Sequence, residues 1–384
     1  MSARLPQSGS LDVYLRMARV RAGMSQGDLA TRAGVTRQAI SAIESGKTAP
    51  TMGVALRLAR ALGCRVDELF RLVDELPRVT ADLLGDGGAT DLDMPIRVQV
   101  AEINGRIVAH PLSGAAGATL TIPRANGIIR AESTRHGQAT VELFSDPDQL
   151  SRMVVAVGCD PAMWLLADHL HRRHPTMELT HQGGNSLNAL QAVARGEAHL
   201  AGCHLIDAET GEPNGPVARR MLGNEIQLVN FAVWQQGLMV QAGNPRGIQN
   251  AADLARSEIR LANREDGSGA RALLDIELER LGIKPDQVSG YNAIVRSHLA
   301  AAEAVAAGLA HAAVGIRAAA QALGLGFIPL AWERYDLVIP NRNLELPAVQ
   351  ALIETLSSPL FRLEIEALGG YDVSHMGETM AQAA

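Results

Sequence analysis

From Met153 onward short apolar runs alternate with amphipathic stretches, and this alternation limits the possible folds more than any other feature. VVAVG reads as a strand, PAMWLLADHLHRR as a helix, MELT as a strand, NSLNALQAVARG as a helix and AHLAG as a strand. The pattern resumes with GLMVQAG, ADLARSE, IRLAN, GARALLDIELERLG, HLAAAEAVAAG, HAAVG, RAAAQALG and FIPL. Short apolar strands separated by helices predict an α/β region with a mainly parallel sheet. Two longer strand-like runs, IQLVNFAVW and ERYDLVIP, stand where a chain can cross between two lobes. We assign residues 151–384 to this two-lobed region.

The rest of the chain has a different character. With 384 residues there is room for more than one domain. Hydrophobic residues make up 47% and charged residues 20%, which permits a sizeable core and excludes wholesale disorder. Residues 94–150 contain IRVQVAEI, RIVAHPL, ATLTIP, GIIRAES and QATVELF, short strands split by Gly, Pro and Asn turns, and predict a small all-β module. Residues 74–93 are acidic and glycine-containing and read as a linker. Residues 1–73 read as a run of short helices. In the first, Leu11, Tyr14, Leu15 and Ala18 share a face. Ser25 and Thr36 are N-caps for QGDLATRA and RQAISAIES. Two more helices follow, from Thr51 to Leu62 and from Val66 to about Val73.

Charge separates head from body. Residues 1–72 carry 11 Lys and Arg against 5 Asp and Glu, and the remainder carries 24 against 36. A basic head on an acidic body points to a polyanion as the head's partner. The turn Ala33–Gly34–Val35–Thr36 between two short helices has the spacing of a helix-turn-helix, which places its second helix in the major groove. The three cysteines, Cys64, Cys159 and Cys203, are widely spaced and fit reduced thiols in a cytoplasm. No signal peptide, spanning segment or membrane partner is expected.

The segment MSQGDLATRAGVTRQAISAIESGKTAPTMGVALRLARALG resembles the Cro-type, lambda-repressor-like (XRE-type) helix-turn-helix family. The resemblance implies double-stranded DNA as partner and a homodimer. By it, Gln26 clamps a phosphate and Thr36, Arg37, Gln38 and Ser41 open or line the recognition helix. Lys47 meets a phosphate, and Ala30, Val35, Ile40 and Ile43 pack inside. The run VAHPLSGAAGATLTIPRANGIIRAESTRHGQATVELF resembles the C-terminal β-domain of molybdopterin molybdotransferases, whose catalytic domain has no counterpart here. GGNSLNALQAVARGEAHLAGCHLID, NREDGSGARALLD and HAAVGIRAAAQALGLGFIPLAWERYDLVIP resemble a periplasmic-binding-protein-like domain. That domain occurs attached to molybdopterin-biosynthesis-type proteins and to helix-turn-helix heads. The resemblance implies a type II fold with a ligand held between two lobes.

Candidate ligand contacts lie at strand ends and helix starts. Gly267, Ser268 and Gly269 stand between a strand and a helix, with Arg264 and Arg271 near enough to supply charge. Asn185 and Ser186 open another helix, so two helix N-termini facing one cleft would cage an oxyanion. Cys159 and Asp160 follow the first strand, and Asp160 is read first as the N-cap of PAMWLLADHL. His204 and His298 are further candidate donors. The molybdenum-related resemblance makes molybdate or tungstate the first effector expected, with a molybdenum-cofactor precursor or another organic anion as the alternative.

Other signals carry less. GSGARA lacks the acidic partner of a dinucleotide site, and GKT at Gly46–Thr48 lacks the upstream glycine of a P-loop. His169, His171, His174 and His181 lie near one helix end without a cysteine at metal spacing, so they read as solvent-facing and no metal site is expected. Met163 and Trp164 read as core. No nucleophile–base pair stands out, so no enzyme is expected. The alternative is a molybdopterin-metabolism enzyme with autoregulatory DNA binding.

Overall fold

The computed structural model describes residues 11–72, 76–84, 96–112, 124–135 and 137–380. The chain divides into two compact units, residues 1–76 and 77–384.

In the first unit the helices are α1 (Leu15–Arg21), α2 (Gln26–Ala33), α3 (Arg37–Glu44), α4 (Met52–Leu62) and α5 (Val66–Leu69). Ser25 closes a capping box with Asp28, Thr36 accepts from the backbone N–H of Ala39, and Thr51 accepts from that of Val54. Each such cap satisfies a backbone donor the helix leaves open and is worth about 1 kcal/mol. Gly34 ends α2 at φ 64°, the left-handed conformation that lets the chain turn sharply into α3. Leu15, Leu29, Ala30, Ile40, Ile43, Leu58 and Leu69 form the core. The first and last expected helices are shorter than the sequence pattern implied. Leu11–Val13 (β1) pairs antiparallel with Phe70–Leu72 (β2), because each segment gives the other the backbone partners that a lone helical turn could not.

The second unit opens with a closed barrel of β3 (Arg78–Leu83), β4 (Ile96–Ile103), β5 (Arg106–Pro111), β6 (Gly127–Arg135) and β7 (Gln138–Leu143), ordered β3-β5-β4-β6-β7. The expected linker therefore holds a barrel strand: RVTADL pairs along its length with β7 and closes the sheet. The run ATLTIP lies outside the described residues. Val98, Val100, Ile129, Val141 and Leu143 fill the barrel.

The remaining strands form one sheet: β8 (Met153–Gly158), β9 (Glu178–Gly183), β10 (Leu200–Cys203), β11 (Ile226–Val240), β12 (Leu261–Arg264), β13 (Ile294–Val295), β14 (Ala312–Ile316), β15 (Gly326–Pro340) and β16 (Tyr371–Asp372). Its order is β13-β12-β14-β11-β15-β10-β8-β9, with β16 on β11. The wings are parallel, as expected, but the centre is antiparallel. The cause is the pair of long strands β11 and β15. They run through both lobes in opposite directions, with register shifts at Asn230/Ala232 and Gln236/Gly237. Helices α6 (Met163–Arg173), α7 (Ser186–Ala194) and α8 (Gly215–Leu222) belong to the first lobe, and α9 (Gly269–Arg280) and α10 (His298–Ala306) to the second. β8 is buried along its whole length, as a strand covered on both faces must be.

The barrel shares a core with the first lobe. Ala101, Ile103 and Val108 pack with Val155, Val157, Leu190 and Val193. Val155 N–H donates to Nδ1 of His199 at 2.9 Å, so the ring proton sits on Nε2 and is donated to Glu102 O at 3.1 Å. The barrel and first lobe thus form one packed body. No helix among the described residues is long and apolar enough to cross a membrane.

Candidate functional site

On the head, Thr36, Arg37, Gln38, Ser41 and Lys47 are exposed, while Ile40 and Ile43 are buried. The start and outer face of α3 are thus free for a partner. Gln26 differs from its expected role: its side-chain amide donates to Glu44 at 2.8 Å, beside the Arg19–Glu44 ion pair at 2.6 Å. Its side chain ties α2 to α3 and leaves only backbone N–H groups at the α2 start to meet a phosphate.

In the second unit a buried polar cluster lies where the lobes meet. From the first lobe come Cys159 after β8 and His204 after β10. From the second come Arg264 at the end of β12 and His298 at the start of α10. The long strands add Trp234, Gln236, Glu333 and Tyr335. All eight are at most 9% exposed, so the cluster is closed off from solvent.

His204 is the centre. Its Nδ1 donates to Glu333 at 2.9 Å, and its Nε2 stands 3.2 Å from the Cys159 sulfur. Gln236 also donates to Glu333. Burial disfavours the imidazolium, but Cys159 and Glu333 outweigh it and push His204 up to about 10. His298 moves the other way: burial, then the charges of Arg264 and His204, hold it well below its usual range, so its imidazole is neutral. Trp234 packs edge-on against both, 4.8 Å from His204 and 5.5 Å from His298 between ring centroids.

Several buried groups here have no hydrogen-bond partner: both ring nitrogens of His298, Nη1 of Arg264, Nε1 of Trp234, Oδ2 of Asp160 and the Tyr335 hydroxyl. Leaving a buried polar group unmet costs about 1–3 kcal/mol, so a cluster of them marks a place built for something else to fill. The ligand atoms of Cys159, His204 and His298 all lie within 4.8 Å of one another, a spacing that can hold a metal ion.

The other candidates are placed differently. Asp160 is wholly buried. Its Oδ1 accepts from Ala162 N at 2.8 Å and from the Tyr371 hydroxyl at 2.7 Å, and burial raises its pKa to about 6. It caps the turn before α6, which starts later than expected, at Met163. The oxyanion cage of two helix N-termini is not formed, because both are capped from within. Asn185 accepts from Asn188 N and reaches across to Asp266 O at 3.1 Å. Ser268 accepts from Arg271 N and donates to Glu265 O. Ser186 accepts from the backbone N–H of His204 at 3.1 Å. Gly269 touches His204, and Arg271 donates to the backbone oxygen of Arg264 at 3.3 Å. Its guanidinium is held by Asp275 at 2.9 Å and lies 4.1 Å over the Tyr291 ring.

The histidines of α6 do not converge. His169 pairs with Glu364 at 2.5 Å. His181 is buried against Trp164 rather than solvent-facing, and Trp164 is itself 42% exposed rather than core. The sequence reading missed Glu333, Gln236, Trp234 and Tyr335. Their signal was a polar residue inside an otherwise apolar strand, as in WERYDLVIP.

Comparison with known proteins finds likenesses to two parts of the chain. Residues 15–69 match the helix-turn-helix family model, and residues 167–357 match the PBP superfamily domain. The chain is 38% identical to the uncharacterized protein YvgK of Bacillus subtilis (strain 168) over 239 residues, 62% of this chain and 76% of that protein. It is 44% identical to an uncharacterized HTH-type transcriptional regulator of Methanothermobacter thermautotrophicus over 61 residues, 16% of this chain and 88% of that protein. Among solved structures, a substrate-binding protein from Clostridium perfringens with bound phosphate aligns with a TM-score of 0.45 and 14% identity, covering 57% of this chain and 98% of that one. The chain therefore belongs to the family of YvgK, with an XRE-type helix-turn-helix domain at its N-terminus and a two-lobed PBP superfamily domain behind it.

Proposed function

We propose that the chain is a ligand-responsive DNA-binding transcription regulator whose interlobe site takes a small anion, molybdate or tungstate first. The observation that carries the effector reading is the set of unpartnered buried groups on Arg264, His298 and Trp234. Arg264 brings positive charge and Trp234 an N–H to the place where the lobes meet, and an oxyanion takes both. The exposed polar face of α3 and the basic head supply the DNA partner. We further infer that the protein works in the cytoplasm as a homodimer and turns nothing over. Effector bound between the lobes favours their closed arrangement, and that difference in affinity changes how the heads hold an operator.

The test is isothermal titration of the full chain with molybdate and tungstate, with sulfate as control, alongside operator binding by fluorescence anisotropy. Selective heat with the metal oxyanions and a shifted operator affinity support the reading. No heat from any of the three rejects an inorganic oxyanion and moves the site to an organic anion.

A further inference from the structure

We propose that Cys159, His204 and His298 form a binding site for a divalent transition-metal ion of the zinc class, which ties one lobe to the other. The inference deepens the reading of the interlobe site as a ligand site and rests on it.

Three observations carry it. The ligand atoms of the three residues, all buried, lie within 4.8 Å of one another. His204 is oriented as a metal ligand is: Nδ1 donates to the Glu333 carboxylate at 2.9 Å, which leaves Nε2 facing the Cys159 sulfur at 3.2 Å. A carboxylate behind the imidazole fixes the tautomer and raises the basicity of the coordinating nitrogen. His298 supplies the independent observation. It is 0% exposed, and neither of its ring nitrogens has a hydrogen-bond partner. A thiol–imidazole hydrogen bond accounts for Cys159 and His204 but leaves His298 unexplained. A shared ion accounts for all three.

The donor set selects the ion. With the protons of Cys159 and of His204 Nε2 released to solvent as the ion binds, one thiolate sulfur and two imidazole nitrogens suit zinc or cobalt and do not suit magnesium or calcium, which require oxygen. Three protein ligands leave one tetrahedral position for an outside ligand. The charges already present make that position useful. Glu265 pairs with Arg264 and Glu333 with His204, so a divalent ion adds to the positive charge that Arg264 brings to an anion. Because Cys159 and His204 belong to the first lobe and His298 to the second, the complete ligand set exists only when the lobes are closed. The ion therefore binds the closed arrangement preferentially and favours it.

The experiment uses the full chain, stripped with chelator and titrated with cobalt(II) alone. A cobalt ion held by one sulfur and two nitrogens gives intense visible bands and a near-ultraviolet sulfur-to-cobalt charge-transfer band. We expect these to saturate at one equivalent, to vanish in Cys159→Ser and His298→Gln, and to persist in Cys64→Ser, which alters a thiol of the head. Circular dichroism and melting of each variant confirm that it folds. Absence of the charge-transfer band in the parent chain overturns the site, as does its survival in both folded variants. Molybdate titrated into metal-free and cobalt-loaded chain separates this proposal from the reading beneath it. Cobalt binding without molybdate binding upholds the metal site and rejects the oxyanion. Molybdate binding without the cobalt bands does the reverse.

Discussion

Gly269 of the second lobe lies directly on His204 of the first: a Cβ added at Gly269 falls 2.3 Å from Nδ1 of His204 and 2.2 Å from its carbonyl oxygen. No side chain fits there while the lobes are shut. In the proposed closure of the lobes, the first residue of α9 is the stop. Gly269→Ala meets backbone and a buried ring, neither of which can swing aside, so the lobes must part. We expect the variant to lose about 1–3 kcal/mol from the closed form and to bind effector at least tenfold more weakly. Small-angle X-ray scattering checks this, with an effector-independent increase in radius of gyration over the parent chain. An unchanged radius and affinity would show that the contact is not the stop.

The two arginines beside the site separate recognition from support. Arg264 is buried with Nη1 unpartnered, whereas Arg271 is occupied by Asp275 and the Tyr291 ring. A charge-assisted hydrogen bond contributes about 1.5–3 kcal/mol, so Arg264→Gln should weaken anion binding roughly 10- to 100-fold. Arg271→Gln should leave affinity within about threefold and cost stability of roughly 1 kcal/mol, the scale of a partly exposed ion pair and cation–π contact. Titration calorimetry on both variants, with thermal melting, distinguishes the two roles. Equal losses of affinity would mean that Arg271 also reaches the ligand.

Much of this architecture is legible in the chain because local rules suffice for it. Ser25 and Thr36 mark helix starts through their own hydrogen bonds, and Gly34 marks a turn through its backbone freedom. The apolar run of β8 needs no partner to be recognised. The site is less legible because it is assembled from long-range contacts. His204 and Glu333 are 129 positions apart, and nothing in either neighbourhood reports the other. The expected helix-terminus cage failed for a related reason. Asn185 and Ser268 are good caps, and a good cap spends on its own backbone the hydrogen bonds a ligand would use. The β1–β2 pairing was hidden in the same way, since neither three-residue strand is evident without its partner.

The head gives a prediction that is independent of the effector. Lys47 and Gln38 are both exposed, Lys47 just beyond α3 and Gln38 in its first turn. Lys47→Ala should weaken binding uniformly across DNA sequences and lower the slope of log affinity against log salt by about 1. Gln38→Ala should instead leave that slope unchanged and relax preference at one base position, by about 1–3 kcal/mol. Anisotropy over a salt series, with operator and scrambled duplexes, reads both. A salt-slope change in Gln38→Ala would make it a phosphate contact.

Acid should loosen the joint between the barrel and the first lobe. Burial, only partly offset by backbone hydrogen bonds to Glu197 and Glu102, lowers His110 and His199 from 6.5 to about 4. His110 is half-buried as a residue, but its Nε2 is shut away from solvent without a partner. Both rings are neutral in the folded chain above about pH 4, whereas the unfolded chain takes up these protons below about 6.5. The penalty is absent above that upper value and grows as pH falls between the two. At pH 5 it amounts to roughly 2 kcal/mol per group. The three tryptophans, Trp164, Trp234 and Trp332, all lie in the second unit, so their fluorescence follows this unit alone. Urea denaturation read this way should show a lower midpoint at pH 5 than at pH 7. His110→Leu removes one titrating ring and one unpartnered nitrogen, so it should reduce that pH dependence by one group's share while holding stability at pH 7. A variant with the parent's full acid sensitivity would place the responsible protons elsewhere.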